Sequence, residues 1–353
     1  MPDWTRSMRQ TFEFYEVDPA TWGDRSRLDF VRSCVIKRDA TKSTLGGATF
    51  EIDGDISECY IRVYLITEQD DITERTCLGT FLIQTNGYTF DGKIKTYSVE
   101  AYTPLLELAE NEVPLGYYMP KKTKILDQAY ILARNNMRAP VTPGNSTKTL
   151  TGNFVANTSD TYLSFISDMV KYADYELGLE PDGSVFFSKI QEIDGMTPRW
   201  TFNDDNSSIL YPSLTNKVDL YKIPNQVEVI FSNDVICKRV TCTNTKSTSP
   251  TSTQARGRKI IYRDTKPNLT DSSIDVMNVY AEDLLKSLSA TTSTLMYTHG
   301  YCPVRLGDCV RLNYTRADIF NVKAKIIAQE ITCDEGCSVT ETAVYENRYW
   351  EGK

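Results

Sequence analysis

Cys59-Tyr60-Ile61-Arg62-Val63-Tyr64-Leu65-Ile66 alternates apolar and polar side chains, and the same period of two returns in Thr80-Phe81-Leu82-Ile83-Gln84-Thr85 and from Ile94 to Tyr102. Successive side chains of a strand point to opposite faces, so the pattern predicts half-buried antiparallel strands. Between them, Glu68-Gln69-Asp70-Asp71 and Asp91-Gly92-Lys93 supply residues that tolerate tight turns. Upstream, Ser33 to Arg38 and Ala48 to Ile52 extend the same sheet, giving five or six strands before residue 103. That is enough for a small closed barrel or sandwich without exposed edges.

A second alternating stretch runs from Tyr297 to Tyr345. Each stretch holds a Leu-Gly corner expected to open a strand, Leu78-Gly79-Thr80-Phe81-Leu82 and Leu306-Gly307-Asp308-Cys309-Val310. The pairing suggests that one chain builds a similar small barrel twice.

The middle changes period. Thr103-Pro104 predicts a helix start, with Thr as cap and Pro at the first helical position. Ile125-Leu126, Ala129-Tyr130 and Leu132-Ala133 recur at helical spacing until Ala139-Pro140 stops them. From Ser159 to Asp174, Tyr162, Phe165, Ile166, Met169, Val170 and Ala173 form one apolar stripe, and a hairpin turning at Pro181-Asp182-Gly183 follows. Strands at Val227 to Phe231 and Val235 to Val240, joined across Ser232-Asn233-Asp234, resume the β pattern. The Ser- and Thr-rich tract from Thr243 to Gln254 reads as a mobile surface loop, and Ser272 to Ser289 as an amphipathic helix with Ile274, Met277, Tyr280, Ala281, Leu284, Leu285 and Leu288 on one face. The expected fold is mainly β with α+β insertions. It comprises a first β-barrel-like domain at 1–112, an α+β module at 113–198, and a second β-barrel-like domain at 199–353 with an inserted loop (243–258) and helix (272–289).

At 353 residues with 41% apolar and 24% charged side chains, core supply is ample and two or three domains are expected. No run of about 18 apolar residues is long enough to cross a bilayer as a helix, and the start Met1-Pro2-Asp3-Trp4-Thr5-Arg6 lacks the apolar stretch of a secretory signal. Assembly in a cytoplasm is the expectation, and stable membrane insertion is not. A net charge of −8 argues against sequence-specific nucleic-acid binding, which draws on clustered Lys and Arg. Nine cysteines, odd in number and scattered, read as reduced thiols rather than a disulfide framework.

Chemistry-bearing candidates are few. The single histidine, His299, stands where a strand enters a turn in Tyr297-Thr298-His299-Gly300-Tyr301 and reads as a packed structural residue. No Gly-x-Ser-x-Gly elbow and no phosphate-binding Gly-x-x-x-x-Gly-Lys loop occurs. Cys333-Asp334-Glu335-Gly336-Cys337 has the spacing of half a zinc site, but Cys302 with Cys309 makes a poor second pair, so a β-turn is expected there. Asp204-Asp205 and Asp70-Asp71 are adjacent acidic pairs of the kind that 47 acidic residues produce by chance. Arg256-Gly257-Arg258-Lys259, with Arg263 beyond, reads as the solvated start of a strand, or as a contact with an acidic neighbouring subunit. No catalytic, cofactor-binding or metal-ligating residue is assigned. Subunit-contact residues stay unassigned too, because alternation names two faces without saying which meets a neighbour.

Several segments resemble the hub proteins of bacteriophage tail baseplates. They are Arg9-Gln10-Thr11-Phe12-Glu13-Phe14-Tyr15-Glu16-Val17-Asp18-Pro19, Cys77 to Thr85, Asp91-Gly92-Lys93, Ala101-Tyr102-Thr103-Pro104-Leu105, Trp200 to Pro212, Tyr297 to Arg305 and Gly307 to Tyr314, spread nearly end to end. The resemblance implies a non-enzymatic homotrimer in the virion tail, capping the tube. Two barrel-like domains per subunit would give three subunits six similar units, seating on a sixfold tube above while holding a threefold spike or tip below. It also implies the tube or distal tail proteins as partners, with the tape measure protein a further one, and no cofactor. Many relatives in long-tailed phages append a C-terminal region for host binding or wall cleavage; as this sequence stops at Lys353, that activity is expected on another polypeptide. A rival reading is a tail-associated cell-wall-degrading or carbohydrate-binding protein, with 21 Tyr and 4 Trp available to stack on sugars. A periplasmic or surface β-protein is disfavoured by the start of the chain and the odd cysteine count.

Overall fold

A computed structural model describes residues 2–205, 207–232, 237–265, 267, 273–350 and 352, with backbone alone at 85, 86 and 232. Asn206, the turn expected at Asn233-Asp234, the strand start Val235-Ile236 and the expected helix start Ser272 lie outside the described residues.

The chain opens with β1 (Arg9–Val17), β2 (Asp24–Arg27), β3 (Val31–Asp39), β4 (Gly46–Ile52), β5 (Tyr60–Gln69), β6 (Ile72–Phe90) and β7 (Lys95–Tyr102). There follow α1 (Leu106–Glu110), β8 (Tyr118–Met119), α2 (Ile125–Asn136), β9 (Phe154–Val155), α3 (Tyr162–Lys171), β10 (Tyr175–Leu179) and β11 (Val185–Lys189). Next come β12 (Trp200–Asn203), β13 (Leu210–Lys217), β14 (Gln226–Ser232), β15 (Cys237–Thr243), α4 (Thr253–Arg256), β16 (Ile261–Asp264) and α5 (Ile274–Ser289). The last strands are β17 (Ala290–Gly300), β18 (Cys309–Tyr314), β19 (Ile319–Thr332) and β20 (Ser338–Arg348). The fold is mainly β with a large, mostly antiparallel sheet and few helices, as the alternation predicts.

A 13-stranded sheet has the order β13-β17-β20-β19-β3-β4-β7-β6-β5-β1-β2, with β18 paired to β19 and β12 running parallel to β18. The two alternating blocks therefore join in one sheet through β3 and β19, where Ile36 faces Ile331. By internal packing the chain divides into two units, residues 1–214 with 297–342 and residues 215–296 with 343–353.

In the first unit, alternation translates directly into burial. Along β4, Ala48, Phe50 and Ile52 are buried while Thr49 and Glu51 face solvent. Phe50 meets Phe14 and Phe81 edge-on at 6.2 and 6.4 Å, and Ile36, Val63, Leu65, Leu78 and Val99 are fully buried as well. Each such side chain contributes roughly 1.5–3 kcal/mol by leaving water. β5 departs from the pattern, since Tyr60, Ile61, Arg62 and Val63 are all buried. Its second face is covered by the turn between β10 and β11: Arg62 donates to the carbonyl of Asp182 and to Asp24, and Thr80 donates to the carbonyl of Pro181. The α+β portion has its own core, built from Leu126, Ala129 and Ala133 of α2, Phe165, Ile166 and Met169 of α3, and Val185 of β11.

Three expectations need correction. Leu78-Gly79 does not open a strand; it lies in the middle of β6, with Gly79 facing Val63, and a Cβ there would meet the Phe81 ring at 2.5 Å. Leu306-Gly307 instead forms a turn before β18, with Gly307 at φ +85°. The dipeptide is shared for two unrelated reasons, close packing in one place and a left-handed backbone in the other. Thr103 does not cap α1, because its hydroxyl donates to the carbonyl of Thr44 and the helix begins only at Leu106. β1 and β2 were not expected as strands, although β1 pairs with β5 over its whole length.

The second unit carries a three-stranded sheet, β15-β14-β16, antiparallel on one side and parallel on the other. Met277, Ala281 and Leu285 of α5 pack on Val227, Val229, Val240, Cys242 and Trp350. The Ser- and Thr-rich tract is exposed from Thr245 to Thr248, as its composition predicts, but Asn244, Ser249, Thr251 and Ser252 are buried. Asn244 Nδ2 donates to Ser249 Oγ at 2.9 Å, and Ser252 caps α4 by accepting from the Ala255 N–H. Small polar residues can fold inward when they satisfy one another, which hydropathy alone does not register.

Candidate functional site

The sequence candidates disperse in the fold. His299, near the end of β17, is 1% exposed; its Nδ1 donates to the carbonyl of Gly300 at 2.6 Å, and its ring lies 4.5 Å from Phe202 and stacks on Tyr297. Cys333 and Cys337 flank the turn joining β19 to β20, with the Cys337 N–H donating to the carbonyl of Asp334. A hydrogen bond with Cys34 and burial push the Cys333 thiol well up, and burial does the same to Cys337, so both sulfurs hold their protons. All nine cysteines are free, and among the described residues no three His, Cys, Asp or Glu side chains cluster as a metal would require.

Asp204 accepts from the Thr315 hydroxyl at 2.7 Å and from the Thr315 N–H at 3.0 Å, while Asp205 accepts from Ser207. These hydrogen bonds hold both carboxyls below the usual range, the opposite of what a general acid near neutral pH requires. Asp70 and Asp71 form the two-residue turn between β5 and β6, both at positive φ, and Asp70 pairs with Arg6 at 2.9 Å.

What converges in the first unit is a network that no motif announced. Glu341 of β20, 0% exposed, accepts from Tyr297 Oη at 2.5 Å and from Gln329 Nε2 at 2.8 Å. His299 Nε2 lies 3.2 Å from Glu341 Oε1, at ion-pair distance but off the line of a hydrogen bond. Gln329 of β19 passes the contact on, accepting from Arg38 Nη1 at 2.9 Å, and Arg38 of β3 also donates to the carbonyl of Leu78 in β6. Burial, with Glu341 adding to it, raises the Tyr297 phenol well above its ordinary range and keeps it a donor. One sequence signal could have found the centre. In Val339-Thr340-Glu341-Thr342-Ala343 the glutamate shares the inward phase of Val339 and Ala343.

In the second unit the basic run splits by role. Arg256 donates to the carbonyls of Ile223 and Leu220 at 3.0 and 2.9 Å, so it braces the backbone. Arg263 Nε donates to Glu228 Oε2 at 2.7 Å, and Arg239 Nη2 to Glu228 Oε1 at 2.6 Å. The hydrogen bond from Arg263 and the charge of both guanidiniums hold the Glu228 carboxyl below its ordinary range. Arg258 and Lys259 are exposed and make no ion pair among the described residues.

The outer part of β6 and β7 forms a third feature. At the tip, where Thr89 faces Thr96 and Phe90 faces Lys95, β6 and β7 pair only with each other among the described residues, whereas Tyr97 and Ser98 of β7 also pair with Ile52 and Glu51 of β4. Tyr88, Phe90 and Ile94 are more than half exposed on this arm.

No protein-family model matches the sequence, and no curated protein matches it. Solved structures do match in fold. A tail protein from Neisseria meningitidis MC58 is 13% identical at a TM-score of 0.62, with 95% of this chain and 96% of that one covered. The 43 kDa tail protein of prophage MuSo2 from Shewanella oneidensis is 10% identical at a TM-score of 0.61, covering 95% and 98%. This chain thus has the fold of these two tail proteins along almost its entire length.

Proposed function

We propose that the chain is a structural hub of a bacteriophage tail baseplate, a homotrimeric ring that seats on the sixfold tail tube and holds a threefold spike or tip. The observation that carries the reading is the end-to-end fold match to two tail proteins, which leaves little of any of the three chains outside the shared architecture. Its place would be the tail tip of the virion, and its neighbours the tube or distal tail proteins, the spike, and the tape measure protein. The role needs no reaction: geometry is the product, and two strand-rich blocks in each of three subunits would give six units to set against a sixfold tube. The exposed Tyr88, Phe90 and Ile94 near the outer ends of β6 and β7 support a life in contact with other chains, because an apolar patch left in water is a mark of interaction surfaces.

The test is the solution mass of the purified chain. Sedimentation equilibrium should give three times the 40.1 kDa of one subunit, with an interface of roughly 2,000 Å² or more per contact in the assembled tip. A hexamer, or a monomer that persists in the presence of tube protein, would overturn the ring. Cleared bands on a cell-wall zymogram would replace the structural reading with the wall-degrading one.

A further inference from the structure

The open face of the β15-β14-β16 sheet is organised beyond what stability of the second unit explains. Val227, Val229, Val240 and Cys242 point to α5, so residues of opposite phase, Glu228, Arg239, Ile261 and Arg263, share the other face. On it Glu228 is 4% exposed, whereas Arg239 and Arg263 stay 58% and 61% exposed. The buried carboxylate cancels one of two positive charges and fixes both guanidiniums. Each uses one N–H on Glu228, out of the five that a guanidinium carries. Two planar donors already held in place lose less side-chain entropy on meeting a carboxylate than free ones would. Arg258 and Lys259, just before β16, are exposed and add positive charge beside them in the chain, without an ion pair among the described residues.

Charge is unevenly divided. Residues 215–296 and 343–353 hold 13 Lys and Arg against 10 Asp and Glu, a net +3, which leaves −11 on residues 1–214 and 297–342 out of the chain's −8. We propose that the arginine face of one copy docks on the acidic surface of residues 1–214 and 297–342 in a second copy. This rests on the homotrimer reading and names the surface that closes the ring. A contact between two different patches is head-to-tail, and such contacts close into rings when the rotation allows. The occupant is the chain's own acidic surface because an overall negative charge repels nucleic acid at long range, while a neighbouring copy supplies carboxylates at the effective concentration of an assembly.

Zero-length carbodiimide cross-linking of the full chain, with isotope-labelled and unlabelled copies mixed, tests the contact directly. Lys259 should link to Asp or Glu of residues 1–214 or 297–342 in the other copy. In parallel, association should weaken roughly tenfold as salt rises from about 0.1 to about 1 M, where the screening length falls from roughly 10 to 3 Å. The doubly reversed variant Arg258→Glu with Lys259→Glu, which touches no ion pair among the described residues, should weaken association at low salt without lowering the melting temperature. A trimer with no intermolecular link from Lys259, insensitive to salt and to the double reversal, overturns this surface and leaves the ring standing. A chain that stays monomeric throughout, with tube protein present as well as without it, overturns both. Retention of duplex DNA that the double reversal abolishes would make phosphate the occupant and overturn the proposal.

Discussion

Glu341 in the first unit and Glu228 in the second are both hidden from solvent, but they are neutralised from opposite directions. Around Glu341 the direct donors, Tyr297 and Gln329, are themselves buried, and the guanidinium of Arg38 is linked to it through Gln329. Glu228 has two guanidiniums directly on it, and both remain mostly in water. An inward carboxylate ties strands of the sheet to one another; one roofed by arginines arranges a surface. The first is costly to disturb because nothing can rehydrate its partners, whereas the second can be solvated by a small side-chain movement.

Replacing Glu341 with Ala should produce the largest loss, about 3–5 kcal/mol in urea denaturation, since it strands the Tyr297 hydroxyl and a Gln329 N–H in the interior. A cost below about 1 kcal/mol would erase the distinction between the two glutamates. Tyr297→Phe should cost about 2 kcal/mol, the range for a hydrogen bond to a charged group. In the Glu341→Ala background that cost should shrink toward nothing, and full additivity would show that the two side chains are not coupled.

Glu228→Gln should cost less than either, and its effect should depend on acid. Because the folded carboxyl titrates below its ordinary 4.5, its contribution is complete above that value and fades as pH falls through the folded one. Wild type and variant should therefore differ in melting temperature at neutral pH and converge as the pH falls below the ordinary carboxylate range. An equal gap at both pH values would mean that the clamp does not hold the charge.

Much of the fold was legible because its signals are local. The turns at Asp70-Asp71 and Asp91-Gly92-Lys93, the hairpin of β10 and β11, and the helices α2, α3 and α5 all stand where period and turn chemistry put them. What failed was equivalence drawn from short matches. Leu78-Gly79 and Leu306-Gly307 look alike as text, but one glycine makes room for Phe81 and the other adopts a left-handed turn. The tract around Asn244 and Ser249 failed for a related reason, since composition cannot show that small polar groups bond to each other. At the candidate sites, the run Arg256 to Arg263 was visible, but its division into a backbone brace, a clamp and two exposed charges was not.

By itself the sequence determined which side chains of each strand point the same way, because a pleated backbone turns every second residue to one face whatever lies beyond it. That rule already set Glu341 on the apolar side with Val339 and Ala343, and Glu228 opposite Val227 and Val229. Only the tertiary structure decided that Ile36 would lie against Ile331, and that Arg239 and Arg263 would close over Glu228. Those pairings join residues far apart in the chain, and their free energy depends on burial and partner geometry that local periodicity does not encode.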